Sequence, residues 1–290
     1  MKKRKTDQQK HKRWLAVIVG IVVILTVICI VYVNDYYRAD DLSAGALQTD
    51  EAVAVEWIAD DIVAFIPAAS EGTIAGLIFY PGGKVEYTAY APLLHELAES
   101  GVLCLLCRMP CNLAVLDVNA AGGLQEKYPQ VENWYIGGHS LGGSMAAAYV
   151  AEHIDDFDGL LLLAAYSTKD ISDSGLRVLS VYGTQDEVLN MEKYTGNLSN
   201  LPDDTKECII EGGCHAQFGS YGQQEGDGVP EISGEEQREI TVEAVMELVE
   251  ELDDFKGGMA ENYVNIQLTI NGYQTCYWES ERGAEVDFVI

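Results

Sequence analysis

A chain of 290 residues has room for one domain of ordinary size plus appendages. Its formal net charge of −28 hides an asymmetry: seven of the 18 Lys/Arg but only one of the 46 Asp/Glu fall in residues 1–13, so the remainder carries 11 basic against 45 acidic residues, net −34. Such a body will not hold nucleic acid by charge, an anionic membrane surface would repel it, and the acidity reads as a solubility feature.

Residues 1–13 read as a basic, disordered tail. Residues 14–33, from Trp14 to Val33, then run 20 positions without a charge, which as a helix spans about 30 Å, the thickness of a bilayer core. A cleavable signal has a shorter apolar region with a small-x-small site close behind. Here Ala44-Gly45-Ala46 lies well downstream, and Ile28 before Cys29 spoils a lipoprotein signal. The segment is expected to stay as a single-pass anchor. The basic tail before it and Asp35, Asp40 and Asp41 after it place the N-terminus in the cytoplasm and the rest outside the cell membrane.

Residues 34–51 read as a polar tether and residues 52–257 as the folded domain. Strands are predicted at 53–57, 62–66 and 74–80, the last ending in Pro81-Gly82-Gly83-Lys84. A helix over 88–100 places Leu93, Leu94 and Leu97 on one face and His95 in solvent. A strand over 102–107 and a helix over 114–127 follow. The spacing of Cys104, Cys107 and Cys111 resembles a metal site, but residues three apart on a strand face opposite sides, so Cys104 and Cys107 are expected as small buried hydrophobes. A disulfide through Cys111 stays open. Lys84 and Arg108, each just past a strand, are expected as surface charges rather than contacts for an anionic substrate.

The apolar run Trp134-Tyr135-Ile136 leads into Gly138-His139-Ser140-Leu141-Gly142-Gly143 and then a small-residue helix. Strand, sharp turn and helix are the context in which Gly-x-Ser-x-Gly exposes a nucleophilic serine. The turn leaves Ser140 Oγ at its apex and aims the Leu141 N–H towards a developing oxyanion. A serine needs a base, and the base an orienting acid. Only His153 and His215 follow Ser140. His153 sits three turns along the nucleophile helix, whereas His215 follows the strand-like run 207–211 and a Gly212-Gly213 turn, the better position for a base. Asp186, just after a strand at 178–182, is the expected acid, ahead of Glu187, Asp170 and Asp173. The competing account of Asp186 is a local Asx turn. Gly83 N–H is the expected second oxyanion donor, with Lys84 N–H the alternative. The continuous run 159–164 is a buried strand, and only about a dozen residues, 165–177, precede the acid-bearing strand, too few for a lid domain.

The words Phe79-Tyr80-Pro81-Gly82-Gly83-Lys84-Val85-Glu86, Gly138-His139-Ser140-Leu141-Gly142-Gly143, Gly183-Thr184-Gln185-Asp186 and Gly212-Gly213-Cys214-His215 resemble the α/β-hydrolase superfamily. The likeness, over roughly residues 50–257, is to the compact dienelactone-hydrolase-like bacterial group that uses serine. It implies a mostly parallel sheet with helices on both faces, and triad roles for Ser140, Asp186 and His215. Cys214, beside the base, departs from the asparagine of that group.

Beyond the triad, a calcium site using Glu225 and Asp227 lacks proper spacing and is set aside. Ser233 to Glu236 form a capping box that opens the last helix, with Val242, Val245, Met246, Val249 and Leu252 on one face. Residues 258–290 are an appendage that resembles the opening of a restriction-endonuclease-like domain at the end of some bacterial ATPases. Asp287 would be its first metal ligand, and the chain ends before a second; a small β-hairpin is the plainer account. The expectation is an anchored serine hydrolase acting on a small-molecule acyl substrate, most simply a carboxylic ester, without cofactor or metal. An inactive binding protein on the same fold is the alternative.

Overall fold

The computed structural model describes residues 2–68, 73–250, 276–279 and 285–289. Eight strands form one sheet: β1 (Val53–Ala59), β2 (Ile62–Pro67), β3 (Ala75–Tyr80), β4 (Val102–Cys107), β5 (Trp134–His139), β6 (Gly159–Leu163), β7 (Arg177–Gly183) and β8 (Lys206–Ile210). Their order is β1-β2-β4-β3-β5-β6-β7-β8. The pairs β1/β2 and β2/β4 are antiparallel, and every other pair is parallel. The helices are α1 (Lys2–Asn34), α2 (Asp41–Ala46), α3 (Ala91–Glu99), α4 (Leu141–Val150), α5 (Met191–Asn197) and α6 over 234–250.

The central strands β3 to β6 are buried along their whole length, as their unbroken apolar runs require of a sheet covered on both faces. Side chains alternate between two cores. Leu77, Phe79, Cys104 and Leu106 share one with Leu93, Leu94 and Leu97 of α3 and Val245 and Leu248 of α6. Ile78, Leu103, Leu105 and Cys107 share the other with Ala146, Ala147 and Val150 of α4. Cys104 and Cys107 therefore lie on opposite faces, and both are free thiols, as is Cys111.

Several local expectations need correction. Residues 114–127 are not a helix but separate 3-10 turns, Ala114–Leu116 and Gln125–Lys127, divided by Gly122-Gly123, where Gly123 takes φ 73°. His95 is not in solvent. It is buried, with Asp50 at 3.3 Å and Glu99 at 3.2 Å, and so pins α3 to the chain ahead of β1. Residues 35–47 are not a loose tether: Tyr37 forms a parallel bridge with Val85, and Asp40 caps α2. Helix α1 reaches back to Lys2, through the stretch expected as a disordered tail. Its Val17–Asn34 segment has a mean hydropathy of 2.9 and none of it is buried, so it is long and apolar enough to cross a membrane.

The connection between β6 and β7 carries no inserted domain. In the appendage, β9 (Cys276–Glu279) and β10 (Glu285–Val289) pair antiparallel as a two-stranded sheet apart from the main one. Leu252, with the rest of residues 251–275, and residues 280–284 and 290 lie outside the described residues.

Candidate active site

In a parallel sheet the loops leaving the strand C-termini collect along one edge. Tyr80 of β3 is level with Gly138 of β5, His139 with Leu163 of β6, Leu163 with Val181 of β7, and Gly183 with Ile210 of β8. The four sequence words that follow those strands are thereby brought to one place, the position at which open α/β sheets carry ligands.

Ser140 stands between the end of β5 and the start of α4 with φ 52° and ψ −119°. A non-glycine residue there costs roughly 1–3 kcal/mol and persists only where its surroundings over-determine it. They do: Ser140 N–H donates to Leu163 O at 2.8 Å, and Ser140 O accepts the Ser144 N–H at 3.1 Å. A Cβ on Gly142 would fall 2.2 Å from Tyr80 O, so glycine alone lets α4 approach β3 this closely.

His215 follows β8 through the Gly212-Gly213 turn, and its Nδ1 lies 2.8 Å from Asp186 Oδ2. Both side chains are almost fully buried. A carboxylate only accepts, so Nδ1 carries the proton and Nε2 is left as the basic nitrogen. Asp186 Oδ1 accepts the N–H groups of Val188 at 2.9 Å and Leu189 at 2.7 Å. The Asx turn and the partner of histidine, which competed as accounts of Asp186, coexist on its two oxygens. His153 lies apart from this pair, with its ring stacked on Tyr149 at 4.0 Å.

The glycine loop after β3 abuts the start of α4: a Cβ on Gly83 would sit 3.0 Å from Leu141 Cδ2. Lys84 N–H is already donated to Asn112 O at 2.8 Å, which removes it as an oxyanion donor. No acceptor among the described residues takes the Gly83 N–H. The Lys84 ammonium is bound to Asp35 at 2.7 Å, and the Arg108 guanidinium lies over the Tyr87 ring.

Three residues that sequence reasoning passed over hold this arrangement. His139, buried between the glycine loop and His215, has Nδ1 2.8 Å from the Tyr90 hydroxyl. That hydroxyl also accepts the Gly82 N–H at 3.0 Å. Tyr90 has one proton to give and His139 Nδ1 is its remaining partner, so the imidazole carries its own proton on Nε2. Burial, then the neighbouring His215 with ring centroids 4.4 Å apart, push the His139 pKa well below its ordinary value and keep it neutral. Asp227, considered only as a calcium ligand, instead accepts backbone N–H groups of Ala216 at 2.8 Å, Gly228 at 2.9 Å and His215 at 3.3 Å. Gln237 of α6, fully buried, brackets Cys214 by accepting its N–H and donating to its carbonyl, each at 2.9 Å. Burial raises the Cys214 thiol to about 11. The position of His139 within the Gly-x-Ser-x-Gly word was the one signal that could have drawn attention to it.

Among the described residues, one group has metal-ligand spacing, Asp50, His95 and Glu99. Both His95 nitrogens already face carboxylates there.

Residues 76–239 match the sequence model of the alpha/beta hydrolase family. The chain belongs to that family. Among solved structures, this hydrolase is similar to Est1E from Butyrivibrio proteoclasticus, at 16% identity over 69% of this chain and 99% of that one, with a TM-score of 0.50. It is also similar to TT1662 from Thermus thermophilus, at 15% identity over 68% and 98% of the two chains, with a TM-score of 0.51. No curated protein matches the chain. At these identities the likeness establishes the fold, and the chemistry of this hydrolase rests on its own residues.

Proposed function

We propose that this α/β hydrolase is a membrane-anchored, extracytoplasmic serine esterase. Ser140 Oγ attacks the ester carbonyl carbon as His215 Nε2 takes its proton, while Asp186 holds the imidazole and balances the imidazolium. The oxyanion forms beside the Leu141 and Gly83 N–H groups, the former at the positive end of α4. Collapse expels the alcohol, which receives the proton from His215, and leaves an acyl-serine. Water, deprotonated by the same nitrogen, then releases the carboxylic acid and restores Ser140. No cofactor takes part.

The observation that carries this proposal is the buried 2.8 Å His215–Asp186 pair at the sheet edge where Ser140 holds a strained turn. Of the two features that favoured an inactive binding protein, Cys214 and the C-terminal appendage, Cys214 has its backbone bracketed by Gln237 and its thiol buried, so it lends that alternative no support. The apolar part of α1 supplies the anchor, with the basic residues at the N-terminal end of the same helix favouring the cytoplasmic side. Est1E has been seen with ferulic acid bound, so an aryl ester belongs in the substrate panel beside short acyl esters and thioesters.

Fluorophosphonate labelling of the full chain in detergent tests the proposal. Wild type is expected to label, and Ser140→Ala and His215→Ala to stay unlabelled, with turnover reduced by roughly 10⁴ or more. A folded but unlabelled wild type sinks the esterase.

A further inference from the structure

We infer that the mouth of the site is held against the membrane surface, and that its substrate is an amphiphilic acyl ester resident in the bilayer interface. This rests on the anchored esterase proposed above and gives that site its substrate class.

The decisive feature is the shortness and placement of the leash. Helix α1 ends at Asn34, and by Tyr37 the chain is already bonded to the oxyanion loop. Tyr37 N–H donates to Lys84 O at 2.8 Å, and Glu86 N–H donates to Tyr37 O at 2.8 Å. Asp35 pairs with the Lys84 ammonium at 2.7 Å. Three residues reach at most about 10 Å, so the neighbour of Gly83 stays within that distance of the end of the membrane helix, whatever angle the helix takes.

A second attachment binds the same strap to the opposite side of the site. Asp40 N–H donates to Ser220 O at 2.9 Å, Glu225 N–H donates to the Tyr37 hydroxyl at 3.0 Å, and the Tyr37 and Tyr221 rings lie 5.6 Å apart. The strap thus grips the oxyanion loop and the loop that follows His215, the two sides of the site.

The rim on this side is chemically suited to an interface. Val115 and Leu116 are 53% and 57% exposed on the loop after β4, the same loop whose Asn112 carbonyl receives the Lys84 N–H. A cleft of about 770 Å³ opens between Val33 and Asn34 at the end of α1, Tyr36 of the leash, and Glu86, Arg108 and Met109 of the domain. It offers room beside the leash for a molecule that keeps one end in lipid. The strongly acidic body would drift from an anionic surface if untethered, so proximity is imposed by the leash and not by charge.

The test places the full chain in phosphatidylcholine vesicles containing monooleoylglycerol, with p-nitrophenyl acetate as the water-soluble control. A spacer of about 20 Gly/Ser residues inserted between Asn34 and Asp35 leaves the strap contacts in place but frees the domain to lie some 25 Å away. Hydrolysis of monooleoylglycerol is expected to fall on the order of tenfold while the soluble ester is hydrolysed as before, because the local concentration of interface collapses with leash length. Val115→Asp with Leu116→Asp should produce the same selective loss. Equal monooleoylglycerol turnover with and without the spacer overturns the inference, as does a wild type that cleaves only the soluble ester; both leave the esterase standing. Failure to cleave either ester removes the esterase and this inference with it.

Discussion

Asp186 divides its two oxygens between two tasks, and substitutions can separate them. Asp186→Asn retains Oδ1 for the Val188 and Leu189 N–H groups but presents an amide to His215. Turnover is expected to fall by roughly 10⁴ through the wrong tautomer, with thermal stability close to wild type. Asp186→Ala should lose the same activity and, in addition, roughly 1–3 kcal/mol of stability as those N–H groups lose their acceptor. Parallel kinetics and thermal unfolding of the two variants check this; equal unfolding temperatures would refute the structural half of the role.

His139 makes a second prediction at this scale. Its pKa is lowered in the folded state by burial, so below about pH 6.5 the unfolded chain binds a proton that the folded chain does not. Stability therefore rises with pH in that window and is lost as pH falls, by up to about 1.4 kcal/mol per pH unit for this one group. In detergent, denaturant unfolding between about pH 7 and about pH 5 should show a shallower slope for His139→Asn than for wild type. Identical slopes would show that His139 does not stay neutral.

At the scale of elements, the position of His215 depends on three backbone supports: the Gly212-Gly213 turn, the Asp227 carboxylate and Gln237 of α6. Helix α6 is far along the chain from Ser140, yet its first turn holds the residue before His215. Gln237→Leu would leave the buried Cys214 N–H and carbonyl unpaired. It is expected to cost roughly 2–5 kcal/mol and to lower kcat more than KM, because the base loses its position while the glycine loop and Ser140 turn stay in place. Unfolding and steady-state kinetics of the variant test this; wild-type stability would remove α6 from the support of the site. The glycine loop after β3 is braced in a comparable way by Asn112, which with Cys111 takes a positive φ of 54° and draws off the Lys84 N–H.

At the scale of the whole molecule, the fold was legible because its signals are local and periodic. Continuous apolar runs marked β3 to β6, the glycine-serine word marked the β5–α4 turn, and the Ser233 hydroxyl caps α6 by accepting the Glu236 N–H at 3.1 Å. Legibility failed where a residue's environment comes from a distant segment. Burial of His95 depends on Asp50, 45 positions earlier, and the stretch 114–127 had helical apolar spacing that its paired glycines and tertiary packing overrode. The strap over 35–47 looked like a tether because its partners, Val85 and Ser220, are backbone groups that composition does not reveal.

By itself the sequence determined the succession of the eight strands of the main sheet, the apolar span at the N-terminus and the identity of the Ser140, Asp186 and His215 candidates, because each is written in neighbouring residues. Only the tertiary structure decided that Asp186 meets His215, that Lys84 N–H is already spent, that His139 joins the glycine loop to the base, and that the chain leaving α1 is bound to both sides of the site. Those facts are distances between residues remote in sequence, and such distances exist only once the sheet has gathered its loops along one edge.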